Sequence, residues 1–349
     1  FQKIVFNLAP MSLYMVVTGS SVSFAKNLPK HIDIKAFLSS NQFRKFGLTN
    51  QVDYIPMNLS EIPKWIETSN QVDVAFIQVS PPDAEGYCNT GISVDVIPSL
   101  VSSAKIVIAE INEQLPRSNG ATKIHVSQLH AAINGNNTLL TIDDVEANEI
   151  EQSIAQHVAT LIPNGATIQI GIGSLSNEIA KALKEKKDLG IHSGSLNSGM
   201  KLLIEENVVT NKYKEVDQGK TVITTVLGNE ELYRFIDDRA DIILKPVSYT
   251  HNAKVISKIS NFYAINSALE VDLHGQINAE ALGDEIVAGV GGQLDFFLGA
   301  RLSENGCRIL VLPSVAKGGA ISKIKVKIDA VTTIKSEVDF IVTEYGVAA

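Results

Sequence analysis

The chain has 349 residues, a length that suits two domains better than one small core. Hydrophobic residues make up 45% and charged residues 19%, which excludes a disordered chain. The net charge of -8 argues against a broad nucleic-acid surface, because phosphate binding needs a cationic footprint, yet it leaves room for one local anion pocket.

No apolar run approaches the roughly 18 to 20 residues of a membrane span, and the opening lacks a secretory signal pattern. The chain opens at Phe1 without a methionine and stops at Ala348-Ala349 straight after a strand-like run. Both natural ends are therefore expected to lie outside this sequence. Cys88 and Cys307 are too few for a disulfide framework and read as reduced, buried thiols of a cytosolic protein.

Short β-branched runs alternate with helical periods, which is the α/β pattern. Val74-Ala75-Phe76-Ile77 and Ile106-Val107-Ile108-Ala109 read as buried strands, the first followed by Ser80-Pro81-Pro82-Asp83, whose prolines end it. The polar stretch 134–148 reads as the domain boundary, giving domains at 1–140 and 141–349. Ile150, Ile154, Val158 and Leu161 then make one apolar helical stripe, which Pro163-Asn164-Gly165 breaks. A strand over 166–170 leads into Gly171-Ile172-Gly173 and a further helix, with Ser174 or Ser176 as its cap and Glu178 in its first turn. Further strands are expected at 222–226, 263–266, 309–312 and 340–343. Lys323, Lys325 and Lys327 alternate with Ile324, Val326 and Ile328, the pattern of a half-buried edge strand with a basic outer face.

Three glycine-marked segments stand out as chemistry. Gly171-Ile172-Gly173 puts small residues between a strand and a helix, where backbone N–H groups can meet a phosphate or an oxyanion. A plain strand-to-helix turn explains it equally well. A dinucleotide fingerprint would need a third glycine at 176, where the chain has Ser176, and an acid about 20 residues on. Gly289-Val290-Gly291-Gly292, beside Gln293 and Asp295, is a stronger signal, since consecutive N–H groups in such a loop form an oxyanion hole. A bulged turn is the alternative. Glu344 follows a buried-looking strand, at the end where open α/β sheets bind ligands, though an ordinary loop carboxylate fits as well. His125 and His130 lack metal-ligand spacing. His192 lies near position 194 and reads as a satisfied structural histidine.

Taken together these segments resemble the acetyl-CoA hydrolase and 4-hydroxybutyrate/butyrate CoA-transferase family. The matching stretches include Val79-Ser80-Pro81-Pro82-Asp83-Ala84-Glu85-Gly86-Tyr87-Cys88 and Ala109-Glu110-Ile111-Asn112-Glu113-Gln114-Leu115-Pro116-Arg117. Ile170-Gly171-Ile172-Gly173, Ile265-Asn266-Ser267-Ala268-Leu269-Glu270-Val271-Asp272, 289–296, Pro313-Ser314-Val315-Ala316-Lys317 and Thr343-Glu344-Tyr345-Gly346 follow in family order.

The resemblance implies two similar open α/β CoA-transferase domains with the active site in the cleft between them. It implies cytoplasmic homo-oligomers, dimers or tetramers, with no permanently bound cofactor and a coenzyme A thioester as substrate. The partners are an acyl-CoA and a small carboxylate acceptor such as acetate, butyrate, 4-hydroxybutyrate or itaconate, with no nucleic acid and no membrane. Carried over residue by residue, Gly291 and Gly292 provide oxyanion donors, Asn266 and Glu344 line the reacting centre, and Gln169, Gly171, Gly173 and Gly289 border the CoA and substrate channel. The family's nucleophilic glutamate falls at Gly194, in Gly190-Ile191-His192-Ser193-Gly194, and glycine can neither attack a thioester nor hold CoA. Its missing side chain is expected to enlarge the pocket there. Glu344 is the first substitute nucleophile, with Glu85 and a carboxylate in the expected additional N-terminal stretch as rivals. An acyl-CoA thioesterase and a silent CoA-binding subunit are the competing functions, and a nicotinamide dehydrogenase is the most distant one.

Overall fold

The computed structural model describes residues 9–16, 22–39, 41–45, 51–69, 71–135 and 137–349; the opening at Phe1 lies outside them. The β-branched runs of the C-terminal half form one six-stranded sheet. Its order is Gly190–Ile191, Thr167–Ile170, Phe262–Ser267, Cys307–Val311, Phe340–Thr343 and Gly346–Ala348. The first five strands are parallel and the last turns back antiparallel. Side chains alternate across this sheet with period two. Ile168, Ile170, Ile265 and Ile309 face the helices Glu149–Leu161 and Ser174–Ala182, in a core that includes Ile154, Val158 and Ile179. Phe262, Ala264 and Leu310 face the helix Gln293–Leu302 through Phe296, Phe297 and Ala300. A parallel sheet covered on both faces explains why its strands read as unbroken apolar runs.

The N-terminal half holds two three-stranded parallel sheets. One joins Met11–Met15, Ile32–Ala36 and Val52–Tyr54; the other joins Val74–Val79, Ile106–Asn112 and Ala131–Gly135. The strand Ala131–Gly135 thus enters the stretch read as a boundary. The rest of that stretch is strapped to the C-terminal half, with Tyr233 Oη donating to the Leu140 carbonyl at 2.7 Å and Ile142 N–H to the Gly228 carbonyl at 2.9 Å. Asn119–Gly120 adds a parallel strand to the pair Thr221–Ile223 and Ile242–Leu244. Residues before and after the expected boundary therefore share a sheet.

Three local expectations need correction. Val74–Val79 and Ile106–Asn112 are strands but are not buried throughout, because Val74, Phe76 and Ile106 are exposed while Ala75, Ile77 and Val107 are buried. The helix Ser174–Ala182 has Gly173 as its N-cap, at φ 106, and no side chain caps it. The Ser176 hydroxyl donates to the Ile172 carbonyl and the Ser174 hydroxyl to Glu151. Glu151 itself completes a capping box with Asn148 at the start of the preceding helix. The lysine-rich segment has its faces reversed over 323–326, whereas Lys327 is exposed and Ile328 buried as expected. Ile324 and Val326 are exposed, whereas Lys323 and Lys325 turn inward and Lys325 pairs with Glu270 at 3.3 Å. Inward carboxylates reverse the phase that hydrophobicity alone implies. Cys88 and Cys307 are both buried and free, as expected.

Gly120 has φ 110, and a Cβ there would lie 2.2 Å from the Leu244 carbonyl oxygen. Backbone cannot yield as a flexible side chain does. Gly120→Ala is expected to destabilise the protein by about 2–3 kcal/mol, which thermal and urea denaturation will measure.

Candidate active site

Parallel register brings the carboxyl ends of the central strands to one edge. Gln169 pairs with Ala264 and Ile265 with Ile309, while Val311 pairs with Val342. The loops beginning at Gly171, Ala268, Leu312 and Glu344 therefore leave the sheet on the same side. Gly194 reaches that edge too, because His192 N–H donates to the Ile168 carbonyl at 3.2 Å and Ser193 Oγ to the Ile170 carbonyl at 3.2 Å.

The glycine loop before the Gln293–Leu302 helix is stitched to the N-terminal half. Leu59 N–H donates to the Gly291 carbonyl at 3.0 Å and Val290 N–H to Tyr54 Oη at 2.9 Å. Ser60 donates to Asp295 from its N–H at 3.1 Å and its hydroxyl at 2.6 Å. Gly289 is a close-approach position, since a Cβ would sit 2.6 Å from Leu38 Cδ2 and 3.0 Å from the Phe37 carbonyl oxygen. Packing, more than ligand reach, accounts for that glycine. Gly292 is the N-cap of the helix and no side chain caps it. The first-turn N–H groups beyond it have no intrahelical acceptor, which leaves donors for an anion or oxyanion.

Gly194 and Gly292 meet across one side chain, His251. A Cβ on Gly194 would lie 3.2 Å from its Cε1 and Nε2 and 3.6 Å from Phe296 Cε2. A Cβ on Gly292 would lie 2.4 Å from its Cδ2 and 2.5 Å from its Nε2. The expected enlargement of the pocket is therefore corrected: the imidazole and Phe296, with ring centroids 4.5 Å apart, fill most of that space. Sequence reasoning missed His251, which lies outside every glycine motif, and singled out His192 instead. His192 sits behind the site, fully buried, with Nε2 at 2.9 Å from the Thr250 carbonyl and Nδ1 unpartnered.

The other expected residues spread along the edge. Gln169 and Asn266 hydrogen-bond to each other at 3.1 and 2.9 Å, a closed amide pair on the face covered by Phe296. Gly171 N–H donates to the Ile265 carbonyl at 3.2 Å, and nothing lies within 4 Å of a Cβ placed on Gly173. That loop is open to solvent. Glu344 stands four strands from the one leading to Gly194, about 19 Å at ordinary strand spacing. Its carboxylate accepts from Ser314 N–H at 2.9 Å and Ser314 Oγ at 2.5 Å. Burial works to raise its pKa, but the Ser314 bonds and Lys323 outweigh it and hold the carboxyl below its usual range. Glu85 is exposed on the turn held by Asp83. The structure brings neither carboxylate to Gly194. Two cavities, of about 460 Å³ beside Arg117 and Arg234 and about 560 Å³ beside Tyr345 and Ala349, also lie away from the seam. Among the described residues no cluster of His, Cys, Asp or Glu is arranged to hold a metal ion.

Relatives give this geometry its class. Residues 11–152 match the acetyl-CoA hydrolase/transferase N-terminal domain and residues 228–349 the C-terminal domain. The chain belongs to the acetyl-CoA hydrolase/transferase family. It is 38% identical to the 4-hydroxybutyrate coenzyme A transferase of Clostridium kluyveri, over 96% of this chain and 79% of that protein. It is 35% identical to the succinyl-CoA:cyclohexane-1-carboxylate CoA transferase of Geobacter metallireducens, over 93% and 75%. The crystal structure of RipA from Yersinia pestis superposes with a TM-score of 0.92 at 31% identity, covering 99% of this chain and 82% of RipA. That of 4-hydroxybutyrate CoA-transferase from Porphyromonas gingivalis gives 0.82 at 30%, covering 99% and 88%.

Two predictions follow from the buried groups. Burial, then the charge of Lys214, lowers the His192 pKa to about 3, and burial, then His192, lowers that of His251 to about 3. Both fold neutral, so the stability they contribute is complete above the unfolded value of 6.5 and is lost as pH falls from 6.5 toward 3. Replacing His251 by Asn is expected to reduce the pH slope of unfolding free energy between pH 4.5 and 6.5 by about 1.4 kcal/mol per unit. Burial pushes Asp295 up to about 7, so its contribution is complete at low pH and is lost as pH rises toward 7. Asp295→Asn is thus expected to change the slope in the opposite sense. Urea titrations at stepped pH measure both. The second prediction concerns contact: Gly292→Ala is expected to destabilise by about 1–3 kcal/mol. Combining it with His251→Ala should reveal a coupling of at least about 1 kcal/mol in a double-mutant cycle.

Proposed function

We propose that the protein is a cytoplasmic acyl-CoA:carboxylate CoA-transferase that exchanges CoA between short-chain acids such as acetate, butyrate and 4-hydroxybutyrate. Domains 1–140 and 141–349 enclose the substrate, and a dimer or tetramer is the working form, with no permanently bound cofactor. The observation that carries this reading is the meeting of Gly194 and Gly292 at the carboxyl edge of the sheet, beside an uncapped helix start. Family membership over nearly the whole chain supports the substrate class.

Gly171 and Gly173 border the CoA channel and Gln169 and Asn266 form its floor. Gly291, Gly292 and the first turn after them face the thioester oxygen, where a backbone donor is worth about 10²–10³ in rate. Glu344, fixed by Ser314, has a supporting place at the far end of the edge. Since Gly194 carries nothing that can hold an acyl group or CoA, the exchange runs within one ternary complex. The acceptor carboxylate attacks the thioester carbon, the C–S bond breaks, and CoA leaves as thiolate beside a mixed anhydride. The thiolate then attacks the acceptor-derived carbonyl and frees the donor acid.

Initial rates with butyryl-CoA and labelled acetate test this. The expected result is acceptor-dependent acetyl-CoA formation with intersecting double-reciprocal plots. Parallel plots would instead require an enzyme-bound intermediate, and absence of butyryl-CoA binding at millimolar concentration would remove the reading altogether.

A further inference from the structure

The seam between Gly194 and Gly292 contains a group that acid-to-acid exchange leaves idle. His251 follows the short helix Val247–Thr250 and is 3% exposed. Its Nδ1 lies 2.9 Å from Thr250 Oγ1, and that hydroxyl donates to the Pro246 carbonyl at 3.4 Å. A base at Nε2 requires the tautomer in which the hydroxyl proton goes to Pro246, Nδ1 carries the ring proton and Nε2 keeps its lone pair. Nε2 has no hydrogen-bond partner among the described residues. It is also the ring atom that both glycines approach, at 3.2 Å from a Cβ position on Gly194 and 2.5 Å from one on Gly292. A side chain begun at either glycine would therefore run against this nitrogen. Gly194 and Gly292 are each half-buried, so the seam meets the surface instead of closing into the core.

We propose that His251 is a catalytic residue of this chain, the general base for hydrolysis of the acyl-CoA thioester by water. This rests on the acyl-CoA reading given above. Water hydrogen-bonded to Nε2 gives it a proton as its oxygen bonds to the thioester carbon. The carbonyl pair shifts onto oxygen, toward the open first turn of the Gln293–Leu302 helix. As that pair returns, the C–S bond breaks, and the departing sulfur takes the bond pair and then the proton from the imidazolium. One acyl-CoA and one water become one free acid and one CoA thiol. An attacking carboxylate has no proton to give up, so the acid route does not call on this base. His251 adds a water route at the same carbonyl. Burial lowers its pKa to about 3, which keeps the lone pair free throughout the neutral range and also makes the ring a weaker base than free imidazole.

The test follows thiol release from butyryl-CoA without acceptor acid, in the unaltered chain, His251→Ala and His251→Asn, with calorimetric butyryl-CoA affinity measured alongside. Thiol release is expected to fall by about 10²-fold or more in both variants. Added imidazole is expected to restore part of the rate to His251→Ala, a rescue that a merely structural histidine would not show. Release at an undiminished rate in either variant overturns the assignment. So does a loss that imidazole cannot restore while affinity is retained. If His251→Ala does not fold, Thr250→Val replaces it: loss of the hydroxyl that orients Nδ1 should slow release about 10-fold at unchanged affinity, and an unchanged rate counts against the base. An unaltered chain that exchanges acids yet releases no thiol refutes the base but leaves the transferase reading intact. A chain that binds no butyryl-CoA refutes both.

Discussion

The parallel register of Phe262–Ser267 with its neighbours is the constraint on which the site depends. Every backbone N–H and C=O in the middle of this sheet is committed to a ladder, so the strands cannot slide by one residue without turning each apolar side chain to the other face. Phe262 and Ala264 would then leave the core they share with Phe296 and Phe297, and Ile265 would leave the one it shares with Ile168 and Ile309. Burying a large apolar side chain is worth about 1.5–3 kcal/mol, so a slip displaces several such contributions together. The same register aligns the ends of four strands, and with them Gly171, Asn266, Ser314 and Glu344. Core packing thereby fixes the position of groups that take no part in the core.

Across that edge the N-terminal half fixes the remaining wall. Tyr54, Leu59 and Ser60 hold the glycine loop and the start of the Gln293–Leu302 helix through hydrogen bonds from 2.6 to 3.1 Å. Asp295 makes this join sensitive to protonation, because a buried carboxylate is tolerated only while its bonds to Ser60 repay its lost hydration. The wall is consequently a product of both halves of the chain, and neither half alone defines the seam at Gly292.

Much of the architecture was legible from periodicity. The stripe through Ile154 and Val158 and the run 340–343 appear as a helix and a strand where they were expected. What escaped was decided by long-range partners. Lys323 and Lys325 turn inward because Glu270 and Glu344 lie beneath them, and alternation in a sequence fixes two faces without saying which one is inside. Glycines were legible as special positions but not as to cause: Gly289 admits the backbone of Phe37, whereas Gly292 admits the ring of His251. His251 itself was invisible, since it lies 57 residues after Gly194, just past a four-residue helix, and meets it only through the fold.

The pairing of Gly194 with His251 has a chemical consequence. A Cβ at 194 would sit 3.2 Å from the His251 ring, so a side chain such as a carboxylate there would have to share this space with the imidazole, which would shift by a few tenths of an ångström. They are not equivalent in chemistry. A carboxylate can accept an acyl group as an anhydride and then hold CoA as a thioester, which keeps the transferable group on the protein while acids exchange. An imidazole cannot hold CoA as a thioester, for it has no carbonyl carbon to offer the sulfur. It can, however, accept a proton, and water is the nucleophile that needs to lose one. On the proposal made above, a site that has the imidazole but no carboxylate at 194 favours activating water over storing CoA between acids, with the same strands, glycine loop and helix start around the thioester.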